Sequence, residues 1–308
     1  MMRLSHRDSV PEALRGAVIA LGNFDGFHLG HQHVVREAVE WARAEGRPAI
    51  VATFDPHPVR HFAPHVPPFR LTSLDQRQEL FAAAGADAML VFEFDEALAA
   101  TTAEGFVTDL LGQHIAAGGV ITGEDFTFGK ARGGNTQVLR DVGATCGIAA
   151  RAIGPVGDGG QTVSSSRIRD ALKAGDCEGA AQLLTRPFTV RGIVIHGDKR
   201  GRELGYPTAN IDMGSYLRPR FGIYAVTGRI LDSGEVLRGA ANLGVRPSFD
   251  PPKELLEPYW FDFDGDLYGR EMDVEFRHFL RPEAKFDDMN ALKDQMERDC
   301  ADARELLA

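Results

Sequence analysis

The feature that most constrains this chain is a change of pattern near residue 186. Before it, short apolar runs alternate with helical periodicity. "AVIALG" (17–22), "AIVATF" (49–54), "AMLVFEF" (88–94), "GGVIT" (118–122) and "GIAARAI" (147–153) read as buried strands. Between them lie helical patterns. Val34, Val35, Ala38, Val39 and Ala42 line one face, with Gly46 as the stop, and Phe106, Val107, Leu110 and Leu111 make another. Strand–helix–strand alternation predicts a doubly wound parallel sheet covered on both faces, with ligands at the carboxyl ends of its strands. After residue 186 the runs "PFTVRGIVIHG" (187–197), "FGIYAVTGRIL" (221–231), "EVLRGAANLG" (235–244), "EPYWFDFDG" (257–265) and "MDVEFRHFL" (272–280) are all strand-like, and turn residues separate them. That pattern predicts a small antiparallel β-barrel. Phe286, Met289, Leu292, Met296 and Cys300 then recur at helical spacing, which predicts a C-terminal helix against the barrel. The expected domains are 1–185 and 186–308, and the second is expected to fold by itself.

Composition narrows the function classes. A chain of 308 residues is long enough for two cores. Its formal charge of −10 excludes a general nucleic-acid binder, which needs a basic face. Cys146, Cys177 and Cys300 are scattered without metal or redox spacing. The N-terminus has no apolar signal region, and no run approaches a membrane span. A cytoplasmic protein with no membrane partner is the expectation.

"GNFDGFHLGH" (22–31) joins the first strand to the first helix. Gly22 suits a sharp turn, and Gly26 and Gly30 suit close approach of a ligand to the backbone. A helix start offers free N–H groups to phosphate. His28 and His31, three apart, share one side of the first turn, where they can steady the charge that grows in phosphoryl or nucleotidyl transfer. His33 is expected to face elsewhere. Neither a GxGxxG nor a GxxxxGK[ST] loop occurs. Metal binding and ordinary surface histidines remain the alternatives. A second helix start, "TVSSSRIRDALKAGD" (162–176), can be capped by Ser164, Ser165 or Ser166. It carries Arg167 and Arg169 in its first turn, where positive charge opposes the helix dipole. An anionic ligand explains that inversion, and so do arginines that are solvated or paired to acids.

In the second half, "HGDKRGRELGYPTANID" (196–212) sets Lys199, Arg200 and Arg202 among glycines, as a loop that closes over phosphates or as a solvated basic turn. Thr208 and Asn210 follow, two hard oxygen ligands of the kind Mg²⁺ accepts beside nucleotide phosphates.

These motifs carry a resemblance. "GNFDGFHLGH" with "SSSRIR" is similar to the HxGH nucleotidyltransferase superfamily. "FDPHP" (54–58), "GEDFTFGKARGG" (123–134), "LLTRPF" (183–188), "YPTAN", "NLGVRPSF" (242–249) and "FDFDGDLYGR" (261–270) resemble the bacterial bifunctional riboflavin kinase/FMN adenylyltransferase (FAD synthetase) family. The resemblance implies an α/β nucleotidyltransferase domain and a riboflavin kinase-like barrel. Riboflavin, FMN and ATP would be the substrates, Mg²⁺ the cofactor, and FMN and then FAD the products. It implies that His28 and His31 hold ATP phosphates, that Gly22, Phe24 and Asp25 shape the nucleotide pocket, and that Ser164, Arg167 and Arg169 grip phosphates. Phe54, Pro56, His57, Asp125, Phe126 and Phe128 would border the flavin, although by pattern alone Phe54 and Phe126 read as core. Lys199 and Arg202 would bind phosphate, Thr208 and Asn210 the metal, and Glu257 would be the kinase base, with Glu254 as runner-up.

Three positions depart from the family pattern. Ser248 stands for Thr, and Thr185 stands for Gly before "RP". Pro258 follows the proposed base, and proline belongs on an edge strand or bulge. A different HxGH transferase fused to an unrelated barrel, or a flavin sensor that has lost activity, are the competing readings.

Overall fold

The structure is a computed structural model and describes residues 1–196, 205–246, 253–286 and 288–308. The chain forms two compact units. The first comprises Met1–Val66 and Leu74–Val163, the second Pro67–Ser73 and Ser164–Ala308.

The first unit is built on a parallel sheet of six strands among the described residues. These are β1 (Met2–Ser5), β2 (Val18–Leu21), β3 (Ala49–Asp55), β4 (Ala88–Glu93), β5 (Gly119–Gly123) and β6 (Ala149–Ile153), in the order β1-β4-β3-β2-β5-β6. The predicted doubly wound α/β sheet is therefore present. Its strands are apolar on both sides because both faces are covered. Val18 and Ala20 pack with Val35, Ala38, Val39 and Trp41 of α1 (Leu29–Ala44), while Ile19 and Leu21 pack into the opposite core with Phe106, Val107, Leu111 and Leu139. β2 sits between β3 and β5, so the chain leaves it at the point where the winding reverses direction. Open parallel sheets bind ligands at such points. The sequence reading passed over β1, whose four residues are too short to show a period, and the small hairpin of β7 (Gly157–Asp158) and β8 (Gln161–Thr162).

The second unit is a closed antiparallel barrel, again as expected. Its described strands are β9 (Phe188–Ile195), β10 (Asn210–Asp212), β11 (Gly222–Ile230), β12 (Val236–Arg246), β13 (Lys253–Trp260) and β14 (Glu271–Arg281), closed in the order β10-β13-β12-β11-β14-β9. Two details differ from expectation. The run 257–265 does not continue as a strand; β13 ends at Trp260, and Asp262 adopts a left-handed φ of 56°. Pro258 is not on an edge, because a closed barrel has none. Instead it stands where the ladder to β10 thins. The Pro258 carbonyl accepts from the Ala209 N–H at 2.9 Å, but proline has no N–H to return, and beyond Asn210 the pairing shrinks to an isolated bridge between Thr208 and Tyr259.

The C-terminal helix (Met289–Leu306) forms and packs on the barrel, with a stripe that keeps Cys300 of the predicted one and adds Ala303 and Leu307. Met289 is exposed and Phe286 precedes the helix; Cys300, Ala303 and Leu307 make the contact with Ala225, Ala240 and Phe261. Asp299, buried, receives both arms of the Arg281 guanidinium at 2.8 and 2.7 Å and pins the helix to the end of β14.

Two helices between the patterns, α7 (Ser165–Ala174) and α8 (Cys177–Leu184), belong spatially to the barrel unit, and α8 packs on β9 and β14. Thr185, which ends α8, has a φ of 62°, the left-handed geometry that makes glycine the favoured residue at a helix stop. Residues 67–73 also belong to this unit. The Arg70 N–H donates to the Ser215 carbonyl at 3.1 Å, the Leu217 N–H donates to the Arg70 carbonyl at 2.8 Å, and Leu71 and Thr72 are buried. The thiol of Cys177 lies in this core, where burial pushes it up to about 12, and burial likewise pushes Cys300 up to about 11; both stay protonated thiols at neutral pH.

A fragment beginning at residue 186 loses Ile168, Leu172, Cys177, Ala180, Leu183 and Leu184, all buried. At roughly 1.5–3 kcal/mol for each large apolar side chain buried, fragment 186–308 should be less stable than fragment 164–308 by at least about 3 kcal/mol. Equal urea midpoints for the two fragments would show that the helices add nothing to the barrel unit.

Candidate active sites

In the first unit, the turn after β2 starts with the Gly22 N–H donating to the Ala52 carbonyl at 3.1 Å. Phe24 and Phe27 then take left-handed φ values of 49° and 43°, with Gly26 at 87° between them. Bulky residues rarely adopt this region, at a cost of about 1–3 kcal/mol each. Burial offsets it: both rings are almost fully enclosed and meet Phe81 edge-on at 5.8 and 5.1 Å. From below, the buried guanidinium of Arg77 donates to the Thr53 hydroxyl at 2.7 Å and to the Asn23 carbonyl at 3.3 Å, and it pairs with Asp55 at 3.3 Å. Thr53 itself donates to the Asn23 carbonyl at 2.7 Å. Asp25 is buried in the same turn.

This strained turn delivers His28 to the start of α1 as its N-cap. The Nδ1 of His28 accepts from the His31 N–H at 3.4 Å. The two imidazoles stack at 3.6 Å between centroids, and His31 also meets Phe24 edge-on at 5.2 Å. Gly30 is required by this stack: a Cβ there would lie 3.2 Å from Cε1 of His28 and 3.7 Å from the carbonyl oxygen of Val163. Gly22 is required by Phe24, whose ring a Cβ would meet at 3.1 Å. Its role is thus close packing rather than the sharp turn read from the sequence. His33 points along the helix to Arg36, 2.6 Å away. The result is a pair of stacked imidazoles at a helix N-terminus, an arrangement suited to phosphate oxygens.

The residues expected to border a flavin are more varied. Phe54 and Phe128 are core residues; Phe54 stacks on Phe92 at 5.3 Å, and Phe128 stacks on Phe126 at 5.9 Å. Phe126 is half-buried and Asp125 exposed. The Asp55–Pro56 peptide is cis, and the Nδ1 of His57 caps the short helix α2 (Pro58–Phe62) by accepting from the Val59 N–H. Phe62, at the end of that helix and not singled out from the sequence, is 69% exposed and meets Phe94 edge-on at 5.8 Å.

In the second unit, Ser164 proves to be the α7 cap, its hydroxyl accepting from the Arg167 N–H at 3.2 Å. Arg169 donates from Nε to the Phe69 carbonyl at 2.8 Å, with its guanidinium 5.2 Å over the Phe69 ring. A contact inside the unit thus engages one of the two charges that oppose the helix dipole. Lys199, Arg202 and Ser248 lie outside the described residues.

The barrel brings four other residues together on one face. The register that pairs Ile211 with Leu256 and Thr208 with Tyr259 sets Asn210 opposite Glu257, and Glu257 is in turn paired with Asn242 on β12. Directly opposed residues in antiparallel strands share a face, with Cβ atoms roughly 4.5–5.5 Å apart. Thr208, two residues before Asn210, lies on that face too. It is the outer face, shared with Tyr259 and Ala240, against which the C-terminal helix packs. Asn242 donates from Nδ2 to Oε2 of Glu257 at 3.4 Å. Glu254, an odd number of residues away, is on the other face and is ion-paired with Arg218 at 2.6 Å. Thr208 and Asn210 supply two hard oxygens, a set that fits Mg²⁺, which usually takes few protein ligands and completes its shell with phosphate and water. Sequence reasoning quoted Arg77 and Asn242 in no role. Arg77 meets partners 54, 24 and 22 residues away in the chain, and only the β12–β13 register reveals Asn242.

A doubly wound sheet with an HxGH helix start at its switch point, joined to a barrel with a Thr-Asn-Glu row, defines a nucleotide-dependent transferase with two sites. A family model for FAD synthetase matches residues 10–167, and one for riboflavin kinase matches residues 184–307. The bifunctional riboflavin kinase/FMN adenylyltransferase of Escherichia coli (strain K12) is 38% identical over 291 residues, covering 94% of this chain and 92% of that protein, and its counterpart in Bacillus subtilis (strain 168) is 35% identical over 303 residues, covering 96% and 93%. A crystal structure of a macrolide-efflux protein from Streptococcus pneumoniae matches with a TM-score of 0.85 at 30% identity, over 97% of each chain. The chain belongs to the bifunctional riboflavin kinase/FMN adenylyltransferase family, and it is a transferase of flavin cofactor biosynthesis. Among the described residues, no helix is long and apolar enough to cross a membrane.

Gly30→Ala is a steric test of the histidine stack. The added methyl should displace His28 by a few tenths of an ångström, and a small misplacement of a group that binds the transition state is expensive. FAD formation from FMN should fall at least about tenfold, while phosphorylation of riboflavin by the same preparation stays unchanged.

Proposed function

We propose that the two activities divide along the chain, with adenylyl transfer in residues 1–185 and phosphorylation in residues 186–308, and that they run in series. The barrel transfers the γ-phosphoryl group of ATP to the terminal ribityl hydroxyl of riboflavin. The sheet domain then lets the FMN phosphate attack the α-phosphate of a second ATP, giving FAD and pyrophosphate. The observation that carries this reading is the barrel row, in which Glu257 stands opposite Asn210 on one face with Thr208.

In the barrel, Glu257 accepts the proton of the attacking hydroxyl. Its half-buried carboxylate on the ligand-bearing face supports that role, and the engagement of Glu254 by Arg218 on the other face argues against the runner-up. Thr208 and Asn210 hold Mg²⁺, which when bound neutralises phosphate charge and orients the triphosphate. Lys199 and Arg202 are assigned to phosphate on their motif.

In the sheet domain, His28 donates from Nε2 to an ATP phosphate oxygen, and His31 stabilises the charge that builds up on the α-phosphate. Gly22, Phe24 and Asp25 form the turn beneath the nucleotide. Ser164, Arg167 and Arg169, which belong to the second unit, keep the phosphate-binding role implied by their motif. Pro56, His57, Asp125 and Phe126 border the flavin and Phe54 and Phe128 back them from the core, with the exposed Phe62 offering a further flat face. The free thiols of all three cysteines and the formal charge of −10 support a reducing, cytoplasmic setting without nucleic-acid partners.

Two experiments separate the sites. His28→Ala or His31→Ala should abolish FAD formation and leave riboflavin phosphorylation intact; loss of both activities in a folded protein would contradict the division. Glu257→Gln should lower kcat for FMN formation by about 10²–10⁴, the usual contribution of a positioned base, with little change in KM. If Glu254→Gln gives the large drop instead, the base is Glu254.

A further inference from the structure

Asn242 stands beside the proposed base in a way that packing does not explain. Its Nδ2 faces Oε2 of Glu257 at 3.4 Å. Its Oδ1 is buried and has no hydrogen-bond partner. The opposite amide orientation would set oxygen against carboxylate, so the donor must face Glu257. Leaving an acceptor buried and unmatched is unfavourable, and an apolar residue would fit this position on β12 with less penalty. Its neighbours on the same face of β12 are Ala240 and Gly244, small residues that make no demand for an amide. Unmatched buried polar atoms in a native fold point to a functional reason.

We propose that Asn242 is a positioning residue for riboflavin phosphorylation: its amide N–H holds the Glu257 carboxylate through Oε2, in the orientation in which that carboxylate accepts the proton of the substrate hydroxyl. This rests on the assignment of Glu257 as the base. The 3.4 Å separation is longer than an optimal bond, as is common for such contacts before substrate tightens them. Asn242 acts only through Glu257, so it contributes to kcat rather than to binding of either substrate.

The test uses the full-length enzyme, with FMN formation from riboflavin and Mg-ATP, FAD formation from FMN, and the thermal midpoint as readouts. Asn242→Ala removes the side chain, and Asn242→Asp keeps its size but not its donor. Both should lower kcat for FMN formation at least about tenfold and keep both KM values within about twofold. The thermal midpoint and FAD formation should not change. In a Glu257→Gln background, Asn242→Ala should lower the residual rate less than about twofold, because the group it positions is gone. Wild-type kcat in Asn242→Asp would show that the residue only fills space, and a midpoint that falls in both variants would make it structural; either overturns the inference. So does multiplication of the two effects in the double variant. Full kinase activity in Glu257→Gln would overturn the base assignment and this inference with it, whereas a crippled Glu257→Gln beside two fully active Asn242 variants would overturn this inference alone.

Discussion

The turn after β2 runs against backbone sterics, and the chemistry of the first unit depends on what holds it there. Phe24 and Phe27 lie in the left-handed region, and each is kept by the burial of its own ring against Phe81. Arg77 closes the underside through Asn23, Thr53 and Asp55. A guanidinium this deeply buried is tolerable because its two terminal nitrogens meet oxygens of Asn23, Thr53 and Asp55, and loss of one partner of such a group typically costs about 3–5 kcal/mol. The turn ends with a histidine where serine or aspartate would ordinarily cap a helix. That substitution places an imidazole, stacked on a second one, at the start of the helix.

The barrel uses register where the sheet uses strain. Closure leaves no free edge, yet Pro258 cannot complete the ladder to β10. The interruption falls between Asn210 and Thr208, beside the two residues suited to metal. β10 is held by its short pairings with β9 and β13, and those pairings set Asn210, Glu257 and Asn242 in one row. The interior of the barrel is filled independently by Tyr224, Val226, Leu243, Leu256 and Phe276. Stability therefore resides mainly on the inner face and the polar row on the outer one, which lets the chemistry vary without emptying the core.

Residues 67–73 complicate the division into two halves. This segment is flanked on both sides by first-unit sequence, yet its backbone bonds to residues 215 and 217. Tyr216, buried between these two, has its hydroxyl pushed up by burial, opposed by hydrogen bonds with Ser73 and the Arg191 backbone. The chain therefore passes between the units three times, at Val66–Pro67, Ser73–Leu74 and Val163–Ser164.

The sequence alone determined the fold classes and supplied the candidate residues for the two sites. Period, strand length and turn residues are local properties, so the parallel sheet, the barrel and the C-terminal helix were legible, and the HxGH and PTAN motifs with their glycines announced two helix-start and strand positions. Tertiary structure decided what depends on partners distant in the chain. It gave α7, α8 and residues 67–73 to the barrel unit, because helical periodicity says that a face is apolar and not which surface covers it. It added Ala303 and Leu307 to Cys300 in the packing stripe of the last helix. It ended β13 at Trp260 and kept Pro258 inside a closed barrel, since a missing N–H constrains only one side of a strand. It also revealed Arg77 and Asn242, whose roles come from hydrogen bonds across 54 and 15 residues of chain; a residue type carries no record of a partner that only folding brings within reach.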